Sequence, residues 1–278
     1  MGAAANNVHV FTTQFYSKLE DEGAEAVASW TAKKGVDIFE KKFIFIPVNK
    51  NIHWSLFVIV NPGMVENAAD DLLVDDDEVL EHPFLLFMDS LKAHKMSRMR
   101  KHIQGWMNFE AKRLGKFKNL HKKDPFDSLT LPVISPKGKL AFHQLTNPIK
   151  PIIQFLLCIC YLIVPYQNNS WDCGVFVCRY AFNMLRLLNV PFAHKHSEWM
   201  IPAKRREQFR KWITESPEFD FDMRDIARLR VEIASLIDSL SALYTNKLEL
   251  RNKQKKLLAE KKKKDPEKKF QCHGSIVV

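Results

Sequence analysis

The 278-residue sequence contains no apolar run of the roughly 18 residues needed to cross a bilayer. Its longest, Ile152 to Val164, already includes Gln154. The opening stretch MGAAANNVHVF lacks the basic-then-apolar pattern of a secretory signal. Asn6 also stands where a myristoylation motif wants Ser or Thr. No internal repeat is found at any period, so the chain does not read as a repeat array. Cysteine is scarce and odd in number: Cys158, Cys160, Cys173, Cys178 and Cys272. Without a secretory signal they read as reduced thiols of the cytosol or nucleus. Cys158 and Cys160 have no second pair at metal-ligand spacing, which argues against a zinc site. Lys and Arg are missing altogether from Pro62 to Leu91.

What is present describes a globular protein. Hydrophobic residues make up 46% and charged residues 27%, enough apolar surface to build one domain of this length. The net charge of +10 is unevenly spread. Residues 247–269 hold eleven Lys/Arg against four Asp/Glu, and residues 92–123 hold eleven against Glu110 alone. An acidic loop over 61–83 opposes them, with Asp70, Asp71, Asp75, Asp76 and Asp77 at its centre. Lys261–Lys264 lacks interleaved aromatics, so the tail reads as solvated or as a nuclear localisation signal rather than a specific nucleic-acid site.

The patterning predicts a short helix over 24–34 and β-strands over 43–48, 53–60 and 84–88. A helix follows over 95–113, a further β-like run over 160–164, and helices from Cys173 and from Pro202. A last amphipathic helix carries Ile226, Leu229, Ile233, Leu236, Leu240 and Leu243, a stripe expected to pack into the core rather than form a coiled coil. A small sheet flanked by helices makes the fold class α+β or mixed α/β.

Three residue types in chain order suit thiol hydrolysis: His53 in a strand, Asp89 at the end of another, and Cys173 opening a helix. That chemistry needs a nucleophile, a base and a carboxylate to orient the base. A helix N-terminus and a nearby imidazolium both favour the thiolate. Gln167, six residues earlier, can offer an amide N–H to an oxyanion. Each has a plain structural alternative: a strand histidine, a turn aspartate, a core cysteine. Cys158, Cys160 and Cys178 are read as core, Cys272 as tail.

The wording around these residues is more specific. His53-Trp54-Ser55-Leu56, Met88-Asp89-Ser90-Leu91 and the run Pro165-Tyr166-Gln167-Asn168-Asn169-Ser170-Trp171-Asp172-Cys173-Gly174 resemble the ubiquitin-like-protein-specific (sentrin- or SUMO-specific) proteases. FTTQFYSKL and KKFIFIPVNKNIHW are similar to the same family, in its branch with loop insertions. The resemblance implies an α+β, papain-like fold of the SUMO-protease type. It also implies hydrolysis after the C-terminal Gly-Gly of a SUMO-type modifier, with no cofactor or metal. By it, His53 is the base, Asp89 its orienting partner, Cys173 the nucleophile and Gln167 the oxyanion donor. Trp54 and Trp171 contact substrate, Trp54 as a tunnel wall that admits only glycines. The partners expected are a SUMO-type modifier and its conjugates, with no membrane and no specific nucleic acid. The chain is expected to be a monomer in the nucleus, or in nucleus and cytoplasm.

Three departures from the family stand out. A Trp-Leu-Asn-Asp segment ahead of Phe11 is missing, so the catalytic domain, expected over 1–258 with a disordered tail over 259–278, reads as N-terminally truncated. The acidic loop stretches the His53–Asp89 spacing, at small entropic cost. Gly138–Ile163 matches nothing in the family and reads as an unspliced intron or a genuine insertion. A catalytically inactive modifier-binding module, or a protease for a different ubiquitin-like protein, is the competing reading.

Overall fold

A computed structural model describes residues 6–69, 78–120, 123–135, 167–214, 219 and 221–264. The first half holds β1 (Val8–Val10), α1 (Gln14–Glu22), the one-turn helices α2 (Ala24–Val27) and α3 (Ser29–Ala32), β2 (Phe43–Lys50) and β3 (His53–Val60). It continues with β4 (Val79–Glu81), β5 (Phe84–Met88), α4 (Met96–Leu114) and β6 (Val133–Ile134). Then come α5 (Cys173–Arg186), β7 (Ala193–Lys195), α6 (His196–Trp199), α7 (Pro202–Thr214) and α8 (Met223–Lys264).

Five strands form one sheet in the order β1-β2-β3-β5-β6. β1 runs parallel to β2 and β5 parallel to β6, while β2–β3 and β3–β5 are antiparallel. This is the small mixed sheet the sequence implies. Both faces are covered, which explains why FIFIPV and LFVIV are apolar at nearly every position instead of alternating. Phe45, Val58 and Leu86 face Phe176, Val177 and Tyr180 of α5 together with Trp212 of α7. Ile44, Ile59 and Leu85 face Ile103, Trp106 and Met107 of α4 and Phe15 and Leu19 of α1.

Several boundaries differ from expectation. β2 extends to Lys50, so the β2–β3 turn is only Asn51 and Ile52, at φ 53° and 61°. Two positive φ values match the right-handed strand twist, and asparagine tolerates one of them; isoleucine does not. The 24–34 helix is two separate turns, α2 and α3. The flanks of the acidic loop are ordered: Pro62–Ala68 forms a 3₁₀ helix that buries Val65 and Ala68, and β4 pairs with β7. The acidic residues 70–77, the β-like run 160–164 and the segment 138–163 lie outside the described residues, as do Cys158, Cys160 and Cys272.

Two core assignments are corrected. Cys178 is exposed. α5 buries Cys173, Phe176, Val177, Tyr180, Asn183 and Met184, a three-and-four spacing that a residue at 178 falls outside. Among the described residues of α8, Ile226 is buried, whereas Leu236, Leu240 and Leu243 are exposed. The residues divide into two compact units, 1–226 and 227–278, with Ile226 the last residue of the first. The helix also runs through 259–264, into the stretch expected to be disordered.

Candidate active site

His53 opens β3 directly after the two-residue turn, and Asp89 follows β5 by one residue. The β3–β5 register pairs Leu56 with Met88, so one further step sets Asp89 opposite Ser55, diagonal to His53. The result is a hydrogen bond of 2.6 Å between His53 Nε2 and Asp89 Oδ1, with both side chains nearly buried. A carboxylate only accepts, so Nε2 carries the proton and Nδ1 holds the free lone pair. Nδ1 is buried and makes no hydrogen bond among the described residues. The imidazole is therefore held at one nitrogen and unoccupied at the other.

Asp89 is fixed from several sides. Oδ1 also accepts from the Leu91 N–H at 3.0 Å, and Oδ2 accepts from the His94 N–H at 3.0 Å. His94 itself sits with its ring centre 4.8 Å from that of His53. Its Nε2–H donates to the Lys50 carbonyl at 3.0 Å, so its Nδ1 accepts from the Ser55 hydroxyl at 2.8 Å. His94 was missed by sequence reasoning, because it follows Asp89 in an irregular segment with no pattern around it. Ligand atoms of His53, Asp89 and His94 lie within 4.8 Å of one another, the spacing of a metal site. Both His94 nitrogens and both Asp89 oxygens are already engaged by protein groups, so hydrogen bonding accounts for the cluster.

Cys173 is the first residue of α5 and is buried. α5 packs on the sheet face that Trp54 joins, and a Cβ on Gly174 would stand 3.7 Å from Trp54 Cδ1. Trp54, half-buried, thus ties the strand start carrying His53 to the helix start carrying Cys173. Gln167 is buried as well. Its Oε1 accepts from Ser90 Oγ at 2.8 Å and its Nε2 donates to the Asn169 carbonyl at 2.6 Å. Asn169 Oδ1 in turn accepts from the Trp171 and Asp172 amides, at 3.1 and 3.0 Å, which shapes the turn into α5. Trp171 is 67% exposed at the rim of this turn. All six residues singled out in the sequence are therefore placed: His53 and Asp89 in direct contact, Cys173 buried at the start of α5, Trp54 against that start, Gln167 bonded to the neighbour of Asp89, and Trp171 at the surface.

Comparison with known proteins agrees with the motifs. Residues 2–131 match the Ulp1 protease family, C-terminal catalytic domain. Human sentrin-specific protease 2 is 50% identical over 174 residues, covering 63% of this chain and 21% of that protein. The probable ubiquitin-like-specific protease 2B of Arabidopsis thaliana is 33% identical over 184 residues, 62% of this chain and 16% of that one. Ubiquitin-like-specific protease 2 of Schizosaccharomyces pombe is 26% identical over 252 residues, 87% of this chain and 35% of that one. The chain thus spans well under half the length of these relatives. Among solved structures, a de-sumoylating protease matches with a TM-score of 0.44 at 18% identity, over 85% of this chain and 75% of that one. In its motifs and over residues 2–131, the chain is thus similar to the ubiquitin-like-protein-specific cysteine proteases.

Proposed function

We propose that the chain hydrolyses the bond following the C-terminal Gly-Gly of a SUMO-type modifier, as an isopeptidase, a precursor protease or both. The observation that carries this reading is the state of His53: Asp89 holds Nε2–H, and the buried Nδ1 has no hydrogen-bond partner among the described residues. Cys173 gives its thiol proton to that Nδ1, and Sγ attacks the carbonyl carbon of the terminal glycine. A Gln167 amide N–H donates to the resulting oxyanion. Collapse expels the lysine amine, which takes the proton from Nδ1–H and leaves a thioester. Water, losing a proton to Nδ1, hydrolyses that thioester and frees the glycine carboxylate. Asp89 keeps the imidazole in the reactive tautomer throughout.

Trp54 forms one wall of the passage for the terminal glycines, and Trp171, exposed at the turn before α5, meets the modifier outside it. The choice of a SUMO-type modifier rests on the sentrin- and ubiquitin-like-specific names of the relatives. A nuclear location rests on the lysine run 261–264. A modifier carrying a C-terminal electrophile tests the reading directly. The expected outcome is a covalent adduct on Cys173 with the wild type, none with Cys173→Ser, and close to wild-type binding by Cys173→Ser. Reversible binding without an adduct on the wild type would mean an inactive binding module.

A further inference from the structure

Beyond the proposed chemistry, α8 presents a surface that the reaction does not use. From Leu229 onward it carries leucine at every seventh position: Leu229, Leu236, Leu243, Leu250 and Leu257. Between them, at the alternating three-four step, fall Ile233, Leu240, Lys247 and Gln254. This is a heptad seam with its d positions all leucine and its first a positions apolar. Leu236, Leu240, Leu243, Leu250 and Leu257 are 54% to 65% exposed. Helices in water are held chiefly by what covers their apolar face. A 42-residue helix with this stripe uncovered calls for a partner that matches it along its length.

We propose that the partner is a second copy of the chain, with residues 229–254 pairing antiparallel as a two-stranded coiled coil. Charge selects both the occupant and the direction. Residues 223–246 hold three basic and three acidic side chains, whereas 247–264 hold nine basic and two acidic. A parallel pair lays the basic half beside itself and buries Lys247 against Lys247. An antiparallel pair lays each basic half beside a neutral one. Around a two-fold axis near residues 241–242, Ile233 meets Leu250 of the second copy and Leu240 meets Leu243. Lys247 packs its aliphatic stem on Leu236, and Gln254 meets Leu229. The flanks agree at the centre: Ile237 lies beside Tyr244 of the second copy, and Glu232 beside Lys253. Like charges meet only towards the ends, at Arg230 and Arg251 and at Asp225 and Glu260, where water screens them. The contact is self-complementary, as a two-fold interface requires. It replaces the monomer expected from the sequence.

The test uses the full chain. Sedimentation across a micromolar concentration series is expected to reveal a monomer–dimer equilibrium, and the double variant Leu236→Glu/Leu243→Glu to remain monomeric while cleaving the modifier at the wild-type rate. A zero-length carbodiimide cross-link is expected between Glu232 and Lys253. Within one helix these residues are separated by about 32 Å, so the link can form only between antiparallel copies. Glu232→Gln removes the cross-link. A wild type that stays monomeric throughout, a double variant that still dimerises, or a dimer without the Glu232–Lys253 link would each overturn the proposal.

Discussion

The two arms of the candidate site are built differently. The sheet arm, His53 and Asp89, stands on two paired strand ends and is braced by the Leu91 and His94 amides, with the His94 side chain locked between Ser55 and Lys50. The helix arm, Gln167 to Cys173, is a turn shaped by its own asparagine and joined to the sheet side through Ser90. A strand pair fixes position through its register, so orientation is set wherever the sheet is intact. A turn is set only by the few bonds its side chains make. The proposed base and carboxylate are thus positioned by strand register, and the nucleophile and oxyanion donor by a turn together with the packing of α5 on the sheet.

Breaking the sheet arm gives the largest expected effect. Asp89→Asn places an amide where only an acceptor holds Nε2–H, and turnover should fall by about 10²–10⁴-fold with little change in melting temperature. Steady-state hydrolysis alongside thermal melts checks it; equal loss of both would make Asp89 a structural residue.

Acid should weaken the core that α5 shares with the sheet, through histidines buried beside Trp199. His82, between β4 and β5, is fully buried and stacks on Trp199 at 4.8 Å. Burial, with the charges of His196 and His194 next, pushes its pKa from 6.5 down to about 3, and burial lowers that of His194 to about 4. Between these values and 6.5 the unfolded chain binds protons that the folded rings refuse. Stability is therefore complete above about pH 6.5 and falls as pH drops below it. His82 alone accounts for about 2 kcal/mol lost between pH 7 and 5. Denaturant unfolding at the two pH values measures this, and His82→Phe should flatten the difference.

The link between the arms is a smaller matter. Ser90→Ala removes the donor to the buried Gln167 Oε1 and should cost about 1 kcal/mol. If Ser90 positions Gln167, kcat falls while KM is unchanged. An unchanged kcat would mean the helix arm holds itself.

The smallest effect is at the turn under His53. Ile52 is 97% exposed at φ 61°, a conformation that a β-branched residue resists and glycine does not. Ile52→Gly should raise stability by about 0.5 kcal/mol, read from denaturant midpoints, because relief of strain slightly exceeds the entropy lost.

Much of this was legible in the residues. β3 and β5 begin and end where their apolar runs do, and α4 follows its Met99, Ile103 and Trp106 spacing. Those patterns report a local period, and local period is what strands and helices obey. The site words around His53, Asp89 and Cys173 were legible for the same reason, as short continuous motifs. His94 was not, since its contacts to Ser55 and Lys50 span 39 and 44 positions and leave no trace in its neighbours.

α4 and α8 mark the limit most sharply. Both show apolar residues at three-and-four spacing, and both are helices. Trp106 of α4 is fully buried against the sheet, while Leu243 of α8 is 65% exposed. The sequence by itself determined that each segment is helical and which side of it is apolar, because backbone hydrogen bonding and side-chain direction depend on residues one turn away. Only the tertiary structure decided that α4 covers a sheet face, that α5 covers the other, and that Leu236, Leu240 and Leu243 of α8 are exposed. What an apolar face packs against depends on surfaces far away in the chain, and the area those surfaces offer is finite.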